Sequence, residues 1–422
     1  MRLAMRLSEV DPSKAKEEFE NAAAGDFIKV ADENFAVKEV PGYSDYTGVM
    51  TREWNMFELS ASLNNLMIGL GGVASEDVLP ANLHQYIKPA NYMGLKYEDH
   101  FSTKTNDPSA GFFFDGLHQS MDPRAYDLFK IPGNFSDPEF NSYPSWADDA
   151  KITKRDLLIG ANDTPKEIDA AFTWNAYAGG DWGKKGSKNK VYGWPGTMPR
   201  MANKYRNSSQ ERIFFASWES YFLVAEAAVK GWTVPMTGKV AYEQGIADSF
   251  AYNGVSGELS EYLTSEDYNR VGTSVSWGHV AEPASTVTMT YKDGYTGATG
   301  TTTFKYPVNN VYKGGNVKND LLTKIITQKF IAQTPWLPLE TWNDHRRLGL
   351  PFFENPVIEN PLTNLPALTE GNFMTNSPKV YAQRLKYPSN FPSNIPGGYA
   401  QAVEKLGGPD NVFTPLWWAQ QN

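Results

Sequence analysis

Hydrophobic residues recur at helical spacing in several separate segments of the chain. Between residues 52 and 70, apolar side chains return every three or four positions until two glycines end the pattern. Near the start, Asp11 can cap a helix and Pro12 suits a first helical position, and no breaker follows before Gly25. The pattern therefore predicts helices over residues 12–24 and 52–70.

Four longer periodic runs form two consecutive pairs. They are residues 212–232 with 240–252, and residues 320–333 with 339–348. Two antiparallel helices of such length make one tetratricopeptide-like hairpin. We therefore expect a mainly α-helical fold with tetratricopeptide-like pairs at 212–254 and 320–349. In the first pair, one face should carry Phe215, Phe222 and Ala225 and meet Tyr242, Ile246 and Phe250.

Alternation of apolar and polar residues marks a different element between the two pairs. Val287, Met289 and Tyr291 alternate with polar residues, and a turn at residues 293–294 leads to a second run. This pattern predicts a small surface β-hairpin inserted at residues 284–306.

Two stretches lack any regular period. Residues 99–210 are dense in glycine, proline, asparagine, aspartate and aromatic residues, which is unusual for a linker because exposed aromatic rings are costly. We interpret them as a folded, loop-rich ligand face within a single domain of residues 1–422. From residue 351 onward, 10 prolines disfavour long helices and favour an extended tail, pinned by Trp417 and Trp418.

Composition excludes several classes of function. A net charge of -9 disfavours nucleic-acid binding, which needs clustered cations. With 0 cysteines, the chain has no disulfide, thiolate zinc site, catalytic thiol or lipidated cysteine. No run of ~18 or more apolar residues predicts a membrane span.

Catalytic and metal-binding motifs are weak. The 5 histidines are scattered without metal-ligand spacing, so we expect no metal and no cofactor. Residues 187–190 match Ser-x-x-Lys only formally, and no acids form a recognisable pair of glycosidase carboxylates. We therefore expect a binding protein rather than an enzyme, although an all-helical glycosidase remains an alternative.

Aromatic residues interleaved with polar ones provide the candidate ligand site. The flat faces of sugars stack on aromatic rings, and sugar hydroxyls need amide or carboxylate partners. Any one of these aromatic residues alone is more typical of packing between loops, so only the cluster as a whole indicates a ligand site. The candidate ligand-binding residues are Tyr143, Trp146, Trp174, Asn175, Tyr177, Asp181, Trp182, Tyr192 and Trp194.

Short motifs occur in a characteristic order along most of the chain. They read DPR at residues 122–124, YFLVAEAA at 221–228, YEQGI at 242–246, IITQKFIA at 325–332, ETWNDHRRLG at 340–349, YPSN at 387–390 and GGPDN at 407–411. This colinear series resembles the SusD/RagB family of outer-membrane nutrient-binding lipoproteins. The resemblance implies a helical scaffold under an irregular ligand face, and delivery of glycans to a TonB-dependent SusC-like transporter.

The resemblance also implies a lipid anchor at the cell surface. Residues 2–6 resemble a motif that lies well inside the family's chains, so we expect that an N-terminal segment with the lipidated cysteine is missing. Three functions remain open: oligosaccharide capture, peptide capture by a RagB-like protein, and a helical adaptor that binds only proteins. The loop aromatics with neighbouring amides favour oligosaccharide capture over the adaptor.

Overall fold

The computed structural model describes most of the chain. The described residues are 1–38, 57–103, 105–140, 142, 148–158, 166–176, 188–189, 195–206, 210–355, 369 and 371–419. Its α-helices are α1 (Arg2–Arg6), α2 (Pro12–Ala23), α3 (Ala61–Met67), α4 (Ser75–Val78), α5 (Arg124–Leu128), α6 (Ser217–Val229), α7 (Gly238–Tyr252), α8 (Leu259–Thr264), α9 (Leu321–Gln333), α10 (Pro338–Leu348), α11 (Phe391–Asn394) and α12 (Pro396–Leu406).

Short strands lie between and around these helices. They are β1 (Phe35–Lys38), β2 (Tyr92–Lys96), β3 (Phe112–Phe113), β4 (Phe129–Lys130), β5 (Lys154–Leu158), β6 (Lys166–Asp169), β7 (Lys188–Asn189), β8 (Arg200–Met201), β9 (Glu211–Phe215), β10 (Thr286–Asp293) and β11 (Thr299–Lys305). They form sheets of two to four strands, ordered β1-β9, β11-β10-β2-β3, β4-β8 and β6-β5-β7. The fold is therefore mainly α with small β additions, as predicted.

Of the two helices predicted near the N-terminus, one is present as predicted and the other is shorter. Helix α2 begins as expected, because the Asp11 carboxylate accepts a hydrogen bond of 3.1 Å from the backbone N–H of Lys14. The helix predicted over residues 52–70 is shorter: α3 begins only after Ser60, whose hydroxyl caps it. Residues 52–56 lie outside the described part of the chain.

The first predicted pair is present, with a correction at its start. Residues 211–215 form β9 rather than the first turn of a helix, and they pair with β1. Ile213, Phe214 and Phe215 are β-branched or aromatic residues, which suit a strand. Phe215 therefore does not belong to the helical face that was predicted to include it.

Helices α6 and α7 pack antiparallel, as predicted for this pair. Trp218 near the start of α6 contacts Tyr252 at the end of α7, with ring centroids 5.1 Å apart. Further along, Phe222 meets Tyr242 at 6.5 Å. A Cβ on Gly245 would lie 2.9 Å from the Phe222 ring, so glycine allows the two helices to approach closely.

Helices α9 and α10 lie within the residues predicted for the second pair. The Asp320 carboxylate caps α9 by accepting from the backbone N–H of Thr323 at 2.9 Å. Helix α10 ends at Gly349, whose φ of 76° is the left-handed conformation typical of a C-terminal glycine.

The predicted β-hairpin is present as β10 and β11, but it is not an isolated insertion. Strand β10 also pairs in parallel with β2, which continues to β3. Through this sheet, the hairpin packs against residues from the loop-rich region.

The C-terminal tail contains one element that the proline pattern missed. Helix α12 carries Pro396 in its first turn, where the missing N–H is not needed, so proline begins this helix instead of preventing it. At the end of the tail, the Trp418 ring lies against the guanidinium groups of Arg6 and Arg346, 5.0 and 4.7 Å from their central carbons. Trp417 is 63% exposed.

Across the described ranges, no helix is both long and apolar enough to cross a membrane. The same part of the chain holds no cluster of three or more histidine or acidic side chains that could bind a metal ion.

Candidate functional site

Two neighbouring cavities lie where the hairpin sheet meets the helical scaffold. The smaller has a volume of about 60 Å³ and the larger about 290 Å³. Phe114, His118 and Arg270 line both, so the cavities meet along these three side chains. We call the two together the paired cavity.

The smaller cavity includes two of the residues predicted from sequence. Trp174 is only 1% exposed, and its indole N–H donates a hydrogen bond of 2.8 Å to the Asn64 side-chain oxygen in α3. Asn175 accepts from the backbone N–H of Phe114 at 2.8 Å and donates to the Phe114 carbonyl at 2.9 Å. Trp174 thus forms a wall, and Asn175 holds the segment that carries Phe114.

The other seven predicted site residues lie outside the part of the chain that the structure describes. They are Tyr143, Trp146, Tyr177, Asp181, Trp182, Tyr192 and Trp194.

Aromatic rings line one side of the larger cavity. Tyr306, just after β11, meets Phe304 edge-on with ring centroids 5.0 Å apart, and lies 6.3 Å from Tyr268. Tyr92, in β2, lines the cavity as well. Tyr92, Tyr268 and Tyr306 are each partly exposed, so part of each residue remains accessible to a ligand.

Polar groups complete the lining, and one of them positions the others. Asn269 is 1% exposed, and its side chain makes three hydrogen bonds. The side-chain oxygen accepts from the backbone N–H groups of Val271 and Thr273, at 3.0 and 2.9 Å, and the side-chain amide donates to the Leu66 carbonyl at 3.0 Å. The turn that carries Tyr268 and Arg270 is therefore fixed to the α3 region. Gln119 and Asp267 are exposed at the same cavity.

Arg270 is the charged group shared by both cavities. Its guanidinium donates to the Met93 sulfur at 3.4 Å and lies 5.3 Å from the Phe304 ring centroid. Burial lowers the pKa of Arg270 to about 10, so the group stays protonated at neutral pH, and the residue is only partly exposed to water. A thioether is a weak acceptor, which leaves most of the guanidinium donors available.

His118 is neutral in this setting. Burial, and then repulsion from Arg270, hold its pKa well below the usual value. Its ring stacks on Phe114 with centroids 3.9 Å apart. The buried Nε2 atom has no hydrogen-bond partner among the described residues.

Two acids are connected through Asn65 next to the smaller cavity. The Asn65 amide donates to Asp107 at 3.0 Å and to Glu354 at 2.9 Å, and Ser62 also donates to Glu354. Burial and then the Asp107 charge raise the pKa of Glu354 to about 7. Burial likewise raises the pKa of Asp107. At neutral pH, the pair therefore carries less than its full negative charge.

A further cavity of about 640 Å³ lies beside α9 and α10, and Glu354 is part of its lining. Its lining is more apolar and includes Phe330, Trp336, Phe353 and Tyr381. It offers fewer polar partners for a hydroxyl-rich ligand than the paired cavity does.

Sequence reasoning missed Tyr92, Tyr268, Arg270 and Tyr306 as site residues. They come from distant parts of the chain and meet only because β10 pairs with β2. The predicted hairpin was the one available signal, since it placed aromatic residues beside Gly-rich and polar segments.

The family assignment follows from comparison with known proteins. A family model described as SusD-like, "Susd and RagB outer membrane lipoprotein", matches residues 175–419. The chain therefore belongs to the SusD-like family.

Solved structures share the fold. A SusD homologue from Parabacteroides distasonis has a TM-score of 0.65 at 22% identity, with 100% of this chain and 64% of that chain covered. A chitin-binding SusD homologue from Flavobacterium johnsoniae has a TM-score of 0.53 at 21% identity, with 100% and 62% covered. A SusD homologue from Bacteroides uniformis has a TM-score of 0.53 at 22% identity, with 99% of this chain and 62% of that chain covered.

The chain thus spans less than two thirds of the length of these solved relatives. At these identities, the likeness shows the fold alone. A comparison with curated protein sequences gives no match.

Proposed function

We propose that this chain binds an oligosaccharide at the bacterial outer membrane and passes it to a TonB-dependent SusC-like transporter, without catalysing a reaction. The observation that carries the proposal is the larger cavity, where accessible tyrosine rings stand beside amide, carboxylate and guanidinium groups. Aromatic faces stack on sugar rings, and the polar groups replace water at the hydroxyls. Family membership supports the location, because the family is described as outer membrane lipoproteins.

A glycan is the ligand class we favour. One structural relative is a chitin-binding protein, which shows that this fold can hold a polysaccharide. We further propose that the residues of the aromatic cluster predicted from sequence also bind the ligand; of these, Trp174 and Asn175 line the smaller cavity. Each stacked ring contributes only about 1 kcal/mol beyond area burial, so several must act together.

The test is glycan binding by isothermal titration calorimetry against a panel of neutral and acidic oligosaccharides. We expect a dissociation constant of about 10 µM to 1 mM for at least one of them. A Tyr268→Ala, Tyr306→Ala double variant should weaken that binding about tenfold or more, because two ring platforms are removed.

Trp417→Ala is the matched control, since this aromatic residue is 63% exposed and lies at the far end of the chain. It should bind the glycan like the parent protein. Failure of every glycan to bind would overturn the proposal. Binding that persists in the double tyrosine variant would move the site elsewhere. Release of reducing sugar during the titration would show an enzyme instead.

A further inference from the structure

Arg270 stands out because one guanidinium serves two cavities. It lines both the 60 Å³ and the 290 Å³ spaces, yet within the described chain its only hydrogen bond goes to the Met93 sulfur. A guanidinium carries five N–H donors in a rigid fork, and leaving them unpaired where water is partly excluded is costly. The fork therefore has unused capacity at the boundary between the cavities.

No acid of the described residues forms an ion pair with Arg270. Asp107 is the acid whose charge acts on it, but that carboxyl is engaged by the Ser109 backbone N–H at 2.8 Å and by Asn65 at 3.0 Å. Burial also raises the pKa of Asp107, which reduces its negative charge. Asp267 lines only the larger cavity and is exposed to solvent.

We propose that Arg270 binds an anionic substituent of the sugar, a carboxylate or a sulfate ester, so that the preferred ligand is an acidic glycan. A sugar ring would rest against Tyr268 and Tyr306 in the larger cavity while its anionic group meets the guanidinium. This inference rests on the proposed function and narrows its ligand class.

The chemistry favours an anion over a hydroxyl at this place. A guanidinium pairs with a carboxylate or a sulfate through two parallel hydrogen bonds, and such charge-assisted bonds are roughly twice as strong as neutral ones. Arg270 is only partly exposed, and partial exclusion of water strengthens the attraction between its charge and an anion.

The experiment compares each acidic glycan with its own neutralised form. Polygalacturonate and hyaluronan oligosaccharides supply carboxylates, and carboxyl reduction removes them. Chondroitin sulfate supplies sulfate esters as well, and desulfation removes those. Binding is measured by titration calorimetry for the parent protein, Arg270→Gln, Arg270→Lys and a control, Lys305→Gln. Lys305 is exposed on β11, outside the lining of the paired cavity, so its loss removes the same charge without touching the fork.

We expect at least one acidic glycan to bind about tenfold more tightly than its neutralised form, and added salt to weaken it. Arg270→Gln should remove that preference, Arg270→Lys should keep only part of it, and Lys305→Gln should keep all of it. Whether carboxyl reduction or desulfation abolishes the preference identifies the anion.

Two other results would decide against the inference. Tight binding of neutral glycans with no preference for the acidic forms would overturn the role of Arg270 and leave glycan capture standing. Absence of binding by every acidic and neutral glycan would overturn both. The comparison of native with neutralised glycans uses the parent protein, so it remains decisive even if Arg270→Gln fails to fold.

Discussion

At the residue scale, burial changes the chemistry of side chains in and beside the candidate site. Glu354, Asp107 and Arg270 are all partly withdrawn from water, and each has a pKa shifted toward its neutral form. The result is a region in which one cation stays charged while two acids share a reduced charge. Such a region can accept an anion that ordinary carboxylates would repel.

The raised pKa of Glu354 predicts a pH-dependent stability. Because the folded state favours the protonated acid, its contribution to the free energy of unfolding is full below about pH 4.5 and is lost as pH rises through about 7. The raised pKa of Asp107 acts in the same direction. Glu354→Gln, which is neutral at every pH, should flatten this decline in urea unfolding curves measured between pH 5 and 8.

Glu404→Gln is the control for that series, since Glu404 is exposed on α12. Its stability profile should follow that of the parent protein. An unchanged slope in Glu354→Gln would show that other groups cause the decline.

Asn269 provides a second prediction at this scale. Its three hydrogen bonds fix the turn that carries Tyr268 and Arg270, so Asn269→Ala should leave buried backbone groups unsatisfied. We expect a loss of about 1 to 3 kcal/mol in the free energy of unfolding, measured by urea titration. Glycan affinity should fall as well, because the ring and the guanidinium lose their position. If Asn269→Ala loses stability but keeps its glycan affinity, the turn does not support the site.

At the element scale, the helix pairs follow from periodicity, whereas their boundaries do not. Apolar residues recur along residues 217–229 and 238–252, and most of them are buried where the two antiparallel helices pack together. Residues 211–215 continue the apolar pattern but form a strand, because β1 offers hydrogen-bond partners that a sequence alone does not reveal. At Pro396 the sequence pattern predicted no helix, but a helix begins there. A proline in the first turn can start a helix, whereas a proline further along would end it.

Phe222 is the residue that tests the packing of α6 on α7. Its side chain is fully buried. The ring packs against Tyr242 and occupies the position next to Gly245 that a larger residue would fill. Phe222→Ala should lower the free energy of unfolding by about 3 to 5 kcal/mol, because it leaves a cavity in the core. Val229→Ala, at a 39% exposed position of the same helix, should cost much less. Equal melting temperatures for the two variants would contradict this packing.

At the scale of the whole molecule, the site could not be predicted as completely as the scaffold. Helices depend on local spacing, but the paired cavity joins Tyr92 from β2 with Tyr268, Arg270 and Tyr306, across a parallel pairing of β10 with β2. Nothing in the local sequence specifies which strand the hairpin will join. Asn175 is a case in which local sequence was informative, because this polar residue among aromatic ones lines the smaller cavity.

A buried ion network connects the turn between α1 and α2 to both helix pairs. Arg347 in α10 donates to Glu226 of α6 at 2.6 Å and 3.0 Å, to Asp344 at 2.9 Å, and to the Ser8 hydroxyl at 2.8 Å. Arg347 and Glu226 are both about 1% exposed as side chains. Their charges are therefore costly to separate, because neither has water to replace its partner.

Arg347→Met should lower the free energy of unfolding by about 3 to 5 kcal/mol, since the Glu226 carboxylate would remain buried without its cation. The double variant Arg347→Met, Glu226→Leu should recover part of this loss, because an apolar pair avoids the desolvation of both charges. Urea unfolding of the four proteins in this double-mutant cycle measures the coupling. The contradictory outcome is additivity, in which Glu226→Leu adds its own cost to that of Arg347→Met. In that case, the network would contribute no pairwise energy to joining the helix pairs.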